Sequence, residues 1–122
     1  MKKIILPLMA FLLLIIACSK ENPGDGKIVN GDFKEFKITA KQFAFEPETI
    51  EINKGDKVRL IVTSTDVPHG IGIPEYGINE RLDPGKPVTI EFIADKEGTF
   101  TSFCTVFCGS GHSDMKGKII VK

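Results

Sequence analysis

Glu35-Phe36-Lys37-Ile38-Thr39-Ala40 alternates apolar residues with charged or polar ones. A period of two sends successive side chains to opposite faces of an extended strand, so Phe36, Ile38 and Ala40 can share one buried face. The same alternation recurs at Ile50 and Ile52, at Val58, Leu60 and Val62, and at Val88, Ile90 and Phe92. Lys54-Gly55-Asp56, Asp83-Pro84-Gly85-Lys86-Pro87 and Lys96-Glu97-Gly98 fall between these runs and supply turn residues. Thr99–Phe103 and Lys116–Val121 read as the last two strands, and Lys118-Ile119-Ile120-Val121 carries the final apolar run. No segment after Cys18 carries a helical stripe, and no internal repeat is visible. Many short strands separated by turns predict an all-β, antiparallel sandwich or barrel.

The chain has 122 residues, 42% hydrophobic and 26% charged, enough for one globular domain. Residues 1–17 carry Lys2 and Lys3; the remainder holds 14 basic and 16 acidic residues, a net charge of −2. That balance gives no basic stripe for a nucleic-acid partner. After the two lysines, an apolar run reaches from Ile4 to Ala17, interrupted by Pro7. It is short for a membrane span and has the form of a signal-peptide core. It ends at Cys18, where the apolar segment meets a polar one, and this junction resembles the bacterial lipobox. The resemblance implies a lipoprotein signal peptide at 1–17 and a lipidated N-terminal Cys18, which would anchor the chain to the extracytoplasmic face of a bacterial membrane. A cleaved signal with an incidental cysteine and a retained single span are the alternatives. Residues 19–33 are polar and glycine-rich; as a coil they reach roughly 20 Å. The expected organisation is therefore signal at 1–17, lipidated Cys and flexible tether at 18–33, and one domain at 34–122.

Residues 104–115 read Cys-Thr-Val-Phe-Cys-Gly-Ser-Gly-His-Ser-Asp-Met. Two thiols, an imidazole and a thioether lie in one loop between two predicted strands. Gly109 and Gly111 let that loop turn tightly. His69 is the one other histidine, in the inter-strand segment Asp66-Val67-Pro68-His69-Gly70. Loops on separate strands can converge at one pole of a sandwich. Cys and Met are soft ligands, imidazole suits copper, and an axial Met is typical of copper electron-transfer sites. Zinc could take Cys104, Cys108, His69 and His112, which leaves Met115 unexplained. A Cys104–Cys108 disulfide is the plainest reading of an exported pair and uses neither histidine. His69, Cys108, His112 and Met115 already make a complete one-copper set. Cys104 is then surplus, unless two thiolates bridge two coppers. A shared electron would then change each bond less on oxidation and lower the reorganisation barrier.

Cys104-x3-Cys108-x3-His112-x2-Met115 resembles the CuA motif of cytochrome c oxidase subunit II. Asp66–Ile71, with Pro74, Glu75 and Gly77, resembles that family's upstream histidine region, and Gln42–Glu48 resembles its first strands. The resemblance covers about residues 35–122 and implies a cupredoxin-like Greek-key fold. It implies that Cys104 and Cys108 bridge two copper ions. His69 and Met115 would complete one copper, and His112 with the backbone carbonyl of Val106 the other. Many subunit II sequences have Glu at the Val106 position, where it also serves a magnesium site; Val106 cannot. Subunit II also begins with transmembrane helices, and it often presents an aromatic residue to its cytochrome partner. This chain has no Trp, leaving Phe103, Phe107 or Tyr76 as substitutes.

The resemblance implies electron transfer with no catalytic site of its own, from a partner such as a cytochrome c and within reach of oxidase subunit I. A one-copper carrier and a copper-delivery module are the alternatives. An enzyme of the nitrous-oxide-reductase kind would need a second domain, for which these 122 residues leave no room.

Overall fold

A computed structural model describes residues 32–122; the predicted signal, Cys18 and most of the tether lie outside the described residues. Nine strands follow in order: β1 Lys34–Lys41, β2 Ala44–Glu46, β3 Thr49–Ile52, β4 Lys57–Ser64, β5 His69–Ile73, β6 Ile78–Leu82, β7 Val88–Ile93, β8 Gly98–Phe103 and β9 Lys116–Val121. Two one-turn 3-10 segments, Pro74–Tyr76 and His112–Asp114, are the helical elements among the described residues. No helix there is long and apolar enough to cross a membrane.

The strands form two facing sheets, β2-β1-β4-β7 and β3-β9-β8-β5-β6. β4 shows how the sequence builds them: Val58, Leu60, Val62 and Ser64 are buried, while Lys57, Arg59, Ile61 and Thr63 are less so. Its inner face meets Ile38 and Ala40 of β1, Ile90 of β7, and Ile50, Ile52, Ile71, Ile73, Ile119 and Val121 of the second sheet in one apolar core. Truncating a residue such as Leu60 to Ala there costs about 2–5 kcal/mol. The predicted sandwich is present, and its sheets are mixed. β1 pairs with β4, and β3 with β9, in parallel, whereas the other pairs are antiparallel. Parallel neighbours cannot be joined by a tight hairpin; the chain visits the opposite sheet between them, which makes the sandwich a Greek key.

The predicted turns at Gly55 and Gly85 are turns in the fold, with φ of 91° and 72° that favour glycine. His69, however, is the first residue of β5 and not part of a connecting loop. The strand His69-Gly70-Ile71-Gly72-Ile73 is buried throughout. His69, Ile71 and Ile73 face the core, and the two glycines lie under the 104–106 segment: a Cβ on Gly72 would stand 2.6 Å from Thr105 Cγ2. Glycines in strand positions hide the alternation that marks the other strands. The ends of β1, β4 and β8 and the starts of β5 and β9 lie at one pole, where His69, Cys104, Cys108, His112 and Met115 are found.

Candidate metal centre

The loop from Cys104 to Met115 is closed at its base by the backbone, since the Cys104 N–H donates to the Met115 carbonyl at 3.2 Å. Cys104 therefore continues β8 and Met115 leads into β9, so both are fixed by the sheet. Between them, Gly109 takes φ 136°. Gly111 has an ordinary φ of −94°. Its requirement is space and not a tight turn, because a Cβ there would strike the Phe43 ring, whose Cγ lies 2.5 Å from that position. The 3-10 turn at His112–Asp114 then brings the chain back to Met115.

Six donor groups converge. Cys104 Sγ and Cys108 Sγ are 3.4 Å apart, and both cysteines are free and buried. Cys104 Sγ lies 3.8 Å from His69 Nδ1 and 3.2 Å from the Val106 carbonyl oxygen. Cys108 Sγ lies 3.6 Å from His112 Nδ1 and 3.9 Å from Met115 Sδ. His69 is 0% exposed and Met115 1%, while His112 is half-buried. The ligand atoms of His69, Cys104 and Cys108 all lie within 4.8 Å of one another. Donors sharing one metal at bond lengths of about 2.0–2.3 Å stand roughly 3.3–3.8 Å apart at a tetrahedral edge. The spacings observed thus fit a thiophilic metal, with sulfur supplying three of the six donors.

Asp66, which sequence reasoning did not single out, holds one of the candidate donors. Its Oδ1 accepts the Nε2–H of His69 at 2.7 Å, which leaves the Nδ1 lone pair turned toward Cys104. Its two oxygens also accept the N–H of Val67 at 2.6 Å and of Gln42 at 2.7 Å. Burial pulls the Asp66 carboxyl upward, but these backbone donors and His69 outweigh it and hold it below the usual carboxylate range. Cys108 moves the other way. Burial first, then the neighbouring Cys104 thiol and the Asp66 charge, push it up to about 11. Without a metal, then, a neutral thiol is favoured there.

Of the three aromatic residues considered for a partner-facing role, Phe107 is 77% exposed, and its ring centroid is 5.6 Å from that of His112. Phe103, at 37%, lies on β8 near the Lys116 ammonium. Tyr76 is removed from the pole. It packs against Phe92 and Phe100 and donates its hydroxyl to the Lys96 carbonyl.

The cupredoxin-like domain profile matches residues 8–121. Nitrous-oxide reductase of Cupriavidus necator is 36% identical over 84% of this chain, which spans 17% of that protein. Cytochrome c oxidase subunit 2 of Thermus thermophilus is 33% identical over 70% of this chain, which spans 63% of that subunit. This chain thus spans less than two thirds of the length of either relative. Among solved structures, a chain of a heme-copper terminal oxidase dimer superposes with a TM-score of 0.68 at 33% identity, over 78% of this chain and 68% of that one. The nine-strand sandwich and the profile match together establish that the chain belongs to the cupredoxin-like domain family.

Proposed function

We propose that this domain carries electrons on the extracytoplasmic side of a bacterial membrane, through a two-copper CuA-type centre held by His69, Cys104, Val106, Cys108, His112 and Met115. The observation that carries this reading is the pair of free, buried thiols 3.4 Å apart, with an imidazole and a second, weaker donor beside each. Bound copper would supply one-electron redox chemistry. The protein's part is to hold the donors still. Cys104 and Cys108 would hold both ions, His69 and Met115 one of them, and His112 and the Val106 carbonyl the other. Asp66 fixes the His69 tautomer, so that Nδ1 is free to bind.

Two features weigh against the alternatives. In a one-copper site of His69, Cys108, His112 and Met115, Cys104 would be a bystander, yet Cys104 is the thiol that His69 Nδ1 faces. A delivery module needs exchangeable ligands, and four of the five donor side chains here are buried. The half-buried His112 and the exposed Phe107 mark the edge at which a redox partner, such as a cytochrome c, would approach. Lipidation at Cys18 would keep the domain at the membrane and within reach of an oxidase subunit I. Val106, in place of an acidic residue, would leave any such contact without a shared magnesium site.

The test is copper per chain together with the electron paramagnetic resonance spectrum of the copper-loaded protein. Two coppers, with hyperfine structure from one electron spread over both nuclei, are expected. One copper with a single-nucleus pattern would mean a mononuclear site, and no copper would overturn the reading.

A further inference from the structure

The two segments that carry the donor set are weakly joined by the sheet. β5, which begins with His69, pairs with β8 at the single register position Gly72↔Phe103. Toward the pole, the Asp66–His69 segment and the Cys104–Met115 loop have no ladder between them. Gln42, in the turn between β1 and β2, joins them. Its backbone N–H donates to Asp66 Oδ2 at 2.7 Å, and Asp66 in turn holds His69 Nε2. Its side-chain Nε2 donates to the Cys108 carbonyl at 2.7 Å. Apart from the direct contact of His69 Nδ1 with Cys104 Sγ at 3.8 Å, Gln42 is the one described residue that hydrogen-bonds both segments. The next residue, Phe43, lays its ring over Gly109 and Gly111, the stretch between Cys108 and His112.

We propose that Gln42 is a positioning residue that fixes the Cys108–His112 half of the donor set relative to the His69 half. It touches no donor atom and acts through two intermediaries, the Asp66 carboxylate and the Cys108 carbonyl. The amide suits the task because it offers N–H groups to a carbonyl without introducing a charge beside the thiols. Loss of that donor leaves the Cys108 carbonyl free to swing and the loop free to open. The part of this inference that concerns bound metal rests on the copper reading above; the part that concerns the metal-free loop does not.

Gln42→Met keeps the reach of the side chain and removes the donor, while the backbone N–H to Asp66 remains. In the reduced, metal-free protein, the alkylation rates of Cys108 and Cys104 by iodoacetamide are compared by peptide mass spectrometry. The Cys108-to-Cys104 rate ratio should rise about fivefold, the factor that one net hydrogen bond represents. Ile90→Val, a core truncation in β7 away from the pole, lowers global stability without touching the clasp and should leave the ratio unchanged. In the copper-loaded protein, Gln42→Met should release copper to a chelator about fivefold faster, with a shifted hyperfine splitting at unchanged stoichiometry. An unchanged thiol ratio in Gln42→Met, or an equal rise in Ile90→Val, would overturn the inference. A wild-type protein that takes up no copper would overturn the copper reading alone, and the thiol ratio would still decide the role of Gln42.

Discussion

Gly70→Ala isolates the close approach on which the donor set depends. Gly70 is the second residue of β5, paired with Arg81 of β6, and it has the 104–106 segment lying on it. A Cβ there would meet the Thr105 hydroxyl, and would stand 3.0 Å from both Val106 Cγ2 and the Val106 backbone nitrogen. The two side chains can rotate away, but the backbone nitrogen cannot. Restoring an ordinary contact means lifting the segment by about 0.5–1 Å. Overpacking of this kind costs about 1–3 kcal/mol. The same lift carries Cys104 and the Val106 carbonyl away from His69, by an amount comparable to the roughly 0.5 Å that a metal site tolerates. Copper affinity should therefore fall about 10-fold or more, as it does when supporting contacts around a site are disturbed. The natural control is Gly55→Ala. Gly55 has φ 91° with nothing within 4 Å of a Cβ, so alanine there adds about 1–2 kcal/mol of backbone strain and should leave copper binding untouched. Urea unfolding of the metal-free variants measures the first quantity, and competition against a chelator measures the second. Wild-type copper affinity and spectrum in Gly70→Ala would refute the argument that this contact sets the geometry of the site.

Cys108→Ser should abolish the copper centre, whereas Met115→Leu should retain copper and alter its reduction potential; equal copper loss in the two variants would contradict that ranking. Cys104 and Cys108 are close enough that aerobic, metal-free protein should accumulate their disulfide and refuse copper until a thiol reductant is added, as free-thiol titration before and after treatment will record. In the metal-free fold, the Cys108 thiol is raised from 9.0 to about 11. The unfolded chain then loses this proton first, so the contribution of Cys108 to stability should be constant below pH 9 and vanish between 9 and 11. Urea midpoints at pH 8 and 10.5 should differ more in wild type than in Cys108→Ser, and an equal drop in both would contradict the assignment.

Much of the fold was legible because Ile38, Val62 and Ile90 obey a simple period of two, and each is a core residue. β5 escaped because Gly70 and Gly72 occupy alternate positions of a strand covered on both faces, where a side chain would normally announce the pattern. β6 escaped for a related reason: of Ile78–Leu82, the first and last residues alone are buried. The candidate donors Cys104, Cys108, His112 and Met115 stood out because potential ligands crowd into twelve positions of sequence, and His69 because it is the one other histidine. Gln42 did not, since its contacts are with residues distant in the chain, and Asp66, only three residues from His69, did not, because nothing in the local pattern fixes where its carboxylate turns. Gln42 meets Asp66 across 24 residues and Cys108 across 66. The space that Gly111 leaves for Phe43 is equally a product of folding. No local pattern distinguishes such a glutamine or glycine from a solvated one.

The centre has two unlike halves. His69 belongs to a strand buried on both faces, and Cys104 and Met115 are tied to each other by a backbone hydrogen bond at the roots of β8 and β9. Cys108 and His112 lie in the loop beyond, and His112 is half-buried beside the exposed Phe107. On the copper reading, the partner-facing edge is therefore the half with less support from the sheet. Efficient electron transfer asks the opposite of that half: the donors nearest the partner should move least when the charge changes. The β1–β2 turn answers this requirement. Gln42 holds the Cys108 carbonyl and Phe43 fills the space over Gly109 and Gly111, so both of its contacts with the loop fall on the segment that the ladders leave unsecured. A domain that merely stored or handed over copper would gain from a loop free to open. The clasp closes it, and that favours a site built to keep its metal and exchange electrons.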